Sequence, residues 1–533
     1  MKKRVLSLTT VFLLLLSLLA IKTGRECLRP QAAAAQSSTR SLTVDVIRGD
    51  LLDCRGRSFT NVTERRAYCV VPTAAAPSFL RAANAERETE EALQNGMPVI
   101  VKTDKALTLP TDGCAKAITT FARYTDSTAV HLLGDVNADG CGAGGLEECF
   151  DDELRTAGGE LSVVYEADAL GRLLATEPVG IHGNGYYTRG GVMLTVDKAV
   201  QEITEKALRN KGVSQGAAVV LDVQTGGILA LASAPSYERE NVAAVLNDAS
   251  APLLNRALCA YPVGSVFKVV TAAAALENGE ILGKTYCGGS VTLSGNRFFC
   301  HNRGGHGFLT FEKAMAYSCN PYFIECGVSV GGAALLSEAK ALRFGDALDI
   351  GGGLTAESGT LPNLKSLNSD AAVGNLSFGQ GELTATPLQI AALYNTIAAG
   401  GVYRAPHAVQ GLLSRDGDFS PMPVEKETRV LSAETCAALT KALAACVEYG
   451  TAEDAASDRY TCACKTATAQ TGTFDEKGDE RCVTWFVGFF PLERPRYTVC
   501  IVKENGISGS VDGAPVFKEI AEAITQYDLT RTP

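Results

Sequence analysis

Hydrophobic and polar positions divide the chain into three stretches. The first is a predominantly apolar run from Val5 to Ile21 behind Lys2, Lys3 and Arg4. It sits at the short end of the roughly 17 to 25 residues that span a bilayer, and its positive flank keeps the N-terminus cytoplasmic while the remainder is exported. Ala33, Ala34 and Ala35 offer a small-residue cleavage site. They lie well beyond the apolar run, which also exceeds the roughly 7 to 15 residues of a signal-peptide core. An uncleaved single-pass anchor over residues 1–24 is therefore expected, followed by a linker over 25–41. Either reading places the bulk of the chain outside the cytoplasm.

Residues 42–188 alternate short β-like runs with polar stretches. Leu42 to Ile47, Ala67 to Val71 and Leu161 to Tyr165 are predicted strands, and Phe79 to Leu93 a predicted helix. No catalytic constellation is visible there. The pattern changes at about Gly191. Val196, Val200, Ile203 and Ala207 recur at helical spacing, with Gly212 suited to the stop. Two β-rich runs joined by Gln224-Thr225-Gly226-Gly227 predict a hairpin. Helices are predicted at Ser265 to Glu277 and Pro387 to Ala399, two long strands within Trp485 to Glu504, and a closing amphipathic helix over 514–527. This order describes an α/β (α+β) domain over 189–533, an antiparallel sheet flanked by helices.

Composition changes the picture in two respects. With 46% hydrophobic and 20% charged residues the chain is globular, not disordered. A net charge of −10 without a basic run beyond the first residues excludes nucleic acid as an expected partner. The 17 cysteines are an odd number, so at least one thiol is free or intermolecular.

Candidate chemistry begins at Ser265 and Lys268. Pro262 and Gly264 stop any preceding element, so Ser265 falls on the first turn of a helix, and positions i and i+3 share a face. A serine hydroxyl becomes nucleophilic when a neighbouring base takes its proton, and a lysine serves once burial or a nearby cation lowers its pKa. Alone, such a pair is more often an N-cap serine beside a surface lysine. Two further elements change that balance: Ser318-Cys319-Asn320 before Pro321, and Lys465-Thr466-Ala467-Thr468 in a β-compatible run. In order and spacing the three resemble the Ser-x-x-Lys, Ser-Asp-Asn and Lys-Thr-Gly set of penicillin-binding proteins and β-lactamases, and the chain resembles the class B penicillin-binding proteins, membrane-anchored D,D-transpeptidases that cross-link bacterial peptidoglycan. Arg48 to Gly56, Leu254 to Leu258, Ser377 to Gly401, Gly450 to Ala452 and Trp485 to Pro491 resemble further segments of that family.

The resemblance implies a penicillin-binding transpeptidase domain at 189–533, a β-rich pedestal at 42–188 and a transmembrane helix before it. It implies that Ser265 attacks the carbonyl between the two D-alanines of a stem peptide, with Lys268 as base. Ser318 relays the proton to the leaving amine, and Asn320 donates to the peptide carbonyl and steadies Lys268. Lys465, with Thr466 and Thr468, holds the terminal carboxylate; the backbone N–H groups of Ser265 and Thr468 form the oxyanion hole. The implied partners are peptidoglycan stem peptides, β-lactams, the cell membrane and glycosyltransferase, elongation or division proteins. No cofactor and no metal is expected. Two rival readings are a non-catalytic scaffold of the division or elongation machinery, and a β-lactam sensor or serine β-lactamase. The large pedestal, Gly379-Gln380-Gly381 and Asn320 weigh against the lactamase.

Some positions depart from the pattern or imitate another. Ala467 stands where the family has Gly, and its methyl is expected to face the Ser265 helix and to slow acylation without abolishing it. Cys54 replaces an Arg of the pedestal box, which is expected to weaken a contact between segments. Asp135 to Gly140 imitates a calcium loop, but Leu146 occupies its twelfth place and a Gly-rich turn is favoured. Cys287, Cys300, His301 and His306 suggest zinc, yet lack the short Cys spacing; a disulfide-stapled hairpin is favoured over free thiols, and those over zinc. Cys319 is read as a small packing residue. Cys462 and Cys464 are predicted to face one side of a strand, as packing or as a redox-sensitive pair.

Overall fold

The computed structural model describes residues 13–23, 38–174, 179–475 and 477–530. Residues 13–23 are helical with exposed leucines, and residues 1–12 and 24 of the expected anchor lie outside the described residues. Among the described residues no helix is long and apolar enough to cross a membrane.

Two compact units share the chain: Met1–Arg48 with Asn61–Arg123 and Gly158–Arg189, and Gly49–Thr60 with Tyr124–Ala157 and Gly190–Pro533. Residues 49–60 and 124–157, expected within a contiguous 42–188 domain, thus group with the later residues. Strand pairing explains part of this. Asp50–Leu52 runs parallel to Gly191–Leu194, with Gly191 opposite Asp50. Ion pairs extend the join: Arg57 reaches Asp53 at 2.6 Å and Asp197 at 2.8 Å, and Arg55 reaches Asp197 at 2.8 Å. Arg55 and Arg57 therefore supply, beside Cys54, the contact that its substitution was expected to weaken.

The first unit holds two three-stranded antiparallel sheets. One orders Ser38–Ile47, Gly159–Ala167 and Gly180–Asn184; the other orders Val99–Lys102, Thr63–Val70 and Ala115–Ala122. The predicted Phe79 to Leu93 helix is in fact two, Ala76–Ala83 and Arg87–Gln94. Asn84 ends the first with φ +55°, a left-handed conformation that asparagine tolerates better than most residues.

In the second unit the main sheet has five antiparallel strands: β1 (Gly216–Asp222), β2 (Ile228–Ala234), β3 (Ala463–Phe474), β4 (Glu480–Phe490) and β5 (Tyr497–Lys503), in the order β2-β1-β5-β4-β3. Consecutive residues of β1 and β5 are buried almost throughout. Successive side chains of a strand point to opposite faces, so both faces of the sheet are covered, and these strands read as apolar runs instead of alternating ones. The helices Lys198–Asn210, Pro387–Ala398, Ala433–Tyr449 and Ala514–Leu529 pack on the sheet. Their starts are marked in the sequence: the Asp197 side chain accepts from Ala199 N, and Thr386 with Gln389 forms a capping box. The edge strand β3 carries the Lys465 motif and leaves one side of the sheet open to the helical block that bears Ser265.

The Cys287 to Cys300 segment is a hairpin, Ser290–Leu293 with Asn296–Phe299, and a second pair of strands, Thr285–Cys287 with Gly307–Leu309, closes beneath it. No disulfide staples it: Cys287 and Cys300 are both free and buried. The ladder brings His306, and the start of the helix Asn320–Val330 brings Cys319, within 4.8 Å of both sulfurs. In the Asp135 to Gly140 turn, the Asn137 side chain accepts from Asp139 N and Cys141 N, each at 3.0 Å, which closes the loop from within.

Candidate active site

Ser265 lies in a 3-10 turn, Gly264–Phe267, that leads directly into the helix Lys268–Glu277. The sequence predicts one helix from Ser265; its first turn is the tighter kind. With three residues per turn, Ser265 and Lys268 stand one above the other, and the Lys268 N–H donates to the Ser265 carbonyl. Backbone packing sets the turn against β3. Gly264 N donates to Gly379 O at 2.8 Å, and Trp485 Nε1 on β4 donates to Pro262 O at 2.8 Å. Gly379 has φ +81°, and a Cβ there would lie 1.9 Å from the Gly264 oxygen, so only glycine fits.

The Lys268 nitrogen is fully buried and lies within hydrogen-bond reach of three oxygens: Ser318 O at 2.7 Å, Ser318 Oγ at 3.1 Å and Asn320 Oδ1 at 2.6 Å. Lys465, equally buried on β3, donates to the same Ser318 Oγ at 3.0 Å and to Thr466 O at 2.9 Å. One hydroxyl thus joins the two lysines. Ser318 sits between the helices Phe311–Ala316 and Asn320–Val330 with φ +52°, a left-handed conformation that costs a non-glycine residue about 1 to 3 kcal/mol. Asn320 Nδ2 donates to Phe299 O at 3.0 Å, which ties it to the hairpin. Thr466 Oγ1 donates to Thr451 Oγ1 at 2.8 Å.

Burial, and then the charge of Lys465, hold the Lys268 amine well below the ordinary lysine range. Burial alone brings Lys465 down to about 8. One amine is therefore available as a base while the other still carries charge at neutral pH. This division of roles suits an amine that takes a proton from a serine and a cation that holds a carboxylate.

Ser265, Ser318, Asn320, Thr466, Ala467 and Thr468 line one cavity of about 370 Å³, with Lys268 and Lys465 beneath its floor. All eight residues singled out in the sequence are thus brought together. Ala467 is nearly buried on the cavity wall. Thr451, His301 and Ser508 to Ser510 also line it and were not predicted as site residues. Thr451 lies in the Gly450 to Ala452 segment, and its bond to Thr466 gives it a place. Ser508 caps the short helix Gly509–Asp512, and nothing in its local sequence marks it as facing the site.

Fold and site together bring a serine, two buried lysines and a bridging hydroxyl to the edge of a helix-covered antiparallel sheet, an arrangement that suits acyl transfer through a serine. Residues 216–522 match the family described as the penicillin binding protein transpeptidase domain. The chain belongs to that family and, within it, to the class B penicillin-binding proteins. It is 30% identical over 394 residues to stage V sporulation protein D of Bacillus subtilis, covering 70% of this chain and 58% of that protein. It is 32% identical over 339 residues to the peptidoglycan D,D-transpeptidase PbpA of Mycolicibacterium smegmatis, covering 60% of this chain and 68% of that protein. The solved D,D-transpeptidase domain of a peptidoglycan glycosyltransferase from Eggerthella lenta shares the fold, with a TM-score of 0.65, 23% identity, and coverage of 90% of this chain and 99% of that one.

Proposed function

We propose that this protein is a peptidoglycan D,D-transpeptidase acting through a serine acyl-enzyme. The observation that carries the reading is the Ser318 hydroxyl shared by two buried lysines beside Ser265, because it separates a proton acceptor from a fixed cation within one cavity. In the first step the Ser265 oxygen attacks the carbonyl carbon of the penultimate D-alanine, and its proton passes to Lys268. The carbonyl oxygen takes negative charge against the N–H groups of Ser265 and Thr468. As the C–N bond breaks, the leaving D-alanine amine takes a proton relayed through Ser318. An amine from a second stem peptide then attacks the ester, gives up its proton to the same relay and restores the serine. Lys465, Thr466 and Thr468 hold the terminal carboxylate during the first step, and Asn320 orients the peptide chain. β-Lactams present a strained amide to the same serine.

The reading extends to the rest of the chain. Residues 1–24 anchor the protein in the cell membrane by a single pass, the unit built from residues 38–48, 61–123 and 158–189 acts as the pedestal, and the catalytic domain faces the outside, where glycosyltransferase and elongation or division proteins are its expected partners. The test is exchange at a D-alanyl-D-alanine stem peptide. With a D-amino acid as acceptor, the purified protein releases D-alanine and forms the exchanged peptide, while the Ser265→Ala variant does neither. Equal exchange by the variant contradicts the assignment of the nucleophile, and no exchange by either contradicts the activity.

A further inference from the structure

The hairpin lobe that borders the cavity carries charge of one sign. Residues 281–311 hold Lys284, Arg297 and Arg303 and no aspartate or glutamate, in a chain whose net charge is −10. All three cations are exposed. Among the described residues none of them forms an ion pair, and the one hydrogen bond that either guanidinium makes runs from Arg297 Nε to Ser290 Oγ at 3.0 Å.

Local structure gathers the two arginines. Arg297 and Phe299 stand two residues apart on the strand Asn296–Phe299 and share a face, while Phe298 between them points the other way, onto Phe378. Phe299 is left 45% exposed. The Arg303 guanidinium lies 3.9 Å from the centre of its ring and the Arg297 guanidinium 5.1 Å, so one ring holds both. Two like charges drawn to one ring repel each other until an anion joins them. A carboxylate suits that place, because each guanidinium can give it two parallel N–H bonds. Lys284 repeats the pattern on the same lobe, 4.9 Å from the ring centre of the exposed Phe308.

The paired arginines adjoin the cavity. Phe299 O accepts from Asn320 Nδ2 at 3.0 Å, and both Asn320 and His301 line the cavity. His301 stands two residues from Phe299 and two from Arg303, and two residues of extended chain reach about 7 Å. On the reading proposed above, on which this inference rests, the two D-alanines of the donor stem peptide occupy the cavity and its chain leaves past Asn320. Such a peptide carries a free carboxylate on the acidic residue two places upstream of the D-alanine that is attacked, which is the same reach.

We propose that Arg297 and Arg303, held on Phe299, form a subsite for the free carboxylate that the donor stem peptide carries upstream of its D-alanines. The subsite selects an unmodified stem peptide over one whose carboxyl is amidated, because the amide brings no charge and only one acceptor oxygen. A phosphate polymer would satisfy the same charges, but it has no end in the cavity to place it there.

The test reads binding without turnover. The full chain carrying Ser265→Ala, in detergent, is titrated with two fluorescent pentapeptides ending in D-alanyl-D-alanine, one with the upstream carboxylate free and one with it amidated, and anisotropy is followed. The free acid is expected to bind about tenfold more tightly than the amide. With Arg297→Gln and Arg303→Gln added, the two peptides are expected to bind alike while the melting temperature stays unchanged; Arg297→Lys with Arg303→Lys keeps part of the preference. Rising salt weakens the preference in the parent. Equal affinity of the parent for the two peptides overturns the proposal, as does a preference that survives both changes to Gln. A glycerol phosphate oligomer that binds more tightly than the free acid, with the same dependence on the two arginines, assigns the subsite to a phosphate polymer and also overturns it. Penicillin labelling of the wild type reads the serine separately. No labelling with the preference intact defeats the transpeptidase reading alone, and labelling without the preference defeats only the subsite.

Discussion

Replacing Ser318 with alanine takes away one hydroxyl and leaves both lysines buried. Lys268 keeps its bonds to Ser318 O and Asn320 Oδ1, at 2.7 and 2.6 Å, and Lys465 keeps Thr466 O at 2.9 Å. Each loses one acceptor, at 3.1 and 3.0 Å respectively. The lost bond is worth about 1 kcal/mol to the neutral Lys268 amine and about 1.5 to 3 kcal/mol to the charged Lys465, while the retained partners hold both side chains in place, so the folded state loses a few kcal/mol of stability. The transition state loses more, because the hydroxyl is also the path by which the proton reaches the leaving amine. A barrier increase of about 2 to 3 kcal/mol slows acylation roughly 30- to 150-fold. The assay is the time course of labelling by a fluorescent penicillin, with melting temperature followed in parallel. Acylation within threefold of wild type in a well-folded Ser318→Ala protein would refute the relay and reduce Ser318 to a spacer.

Other perturbations follow from the same geometry. Acylation should rise with pH as Lys268 loses its proton well below the usual lysine range, and fall again above about 8 as Lys465 becomes neutral and releases the carboxylate; a rate that keeps climbing through alkaline pH contradicts this. Ala467→Gly removes a methyl from the cavity wall and should acylate at least as fast as wild type, so slower labelling would contradict the steric account. Gly379→Ala drives a Cβ to 1.9 Å from the Gly264 oxygen and should cost about 3 kcal/mol or more, seen as a lower melting temperature with weak acylation; wild-type melting would show that the turn yields freely.

The residues that gather at the candidate site are legible in the sequence because each stands beside a strong local signal. Pro262 and Gly264 mark the turn before Ser265, Pro321 marks the helix after Asn320, and the apolar runs around Lys465 mark a strand. The central sheet was legible for a similar reason, since the Gln224 to Gly227 turn and the long apolar runs of β4 and β5 declare their pairing. The interleaving of the two units was not, because the parallel pairing of Asp50–Leu52 with Gly191–Leu194 joins residues far apart in the chain by backbone bonds that leave no periodic mark. The Asn84 break went unseen because the apolar positions on either side continue one helical period. The spacing between cysteines gives no sign that Cys287, Cys300, His306 and Cys319 lie together, a proximity that an antiparallel ladder and a helix cap bring about. Thr451 and Ser508 reach the cavity from loops whose course depends on packing.

The claim that Ser265 is the nucleophile, activated by Lys268, is tested most directly by the intact mass of the protein after exposure to a labelled penicillin. One stable adduct is expected, placed on the peptide containing Ser265 and absent from Ser265→Ala. An adduct of equal yield on the variant, or none on the wild type, would contradict the account.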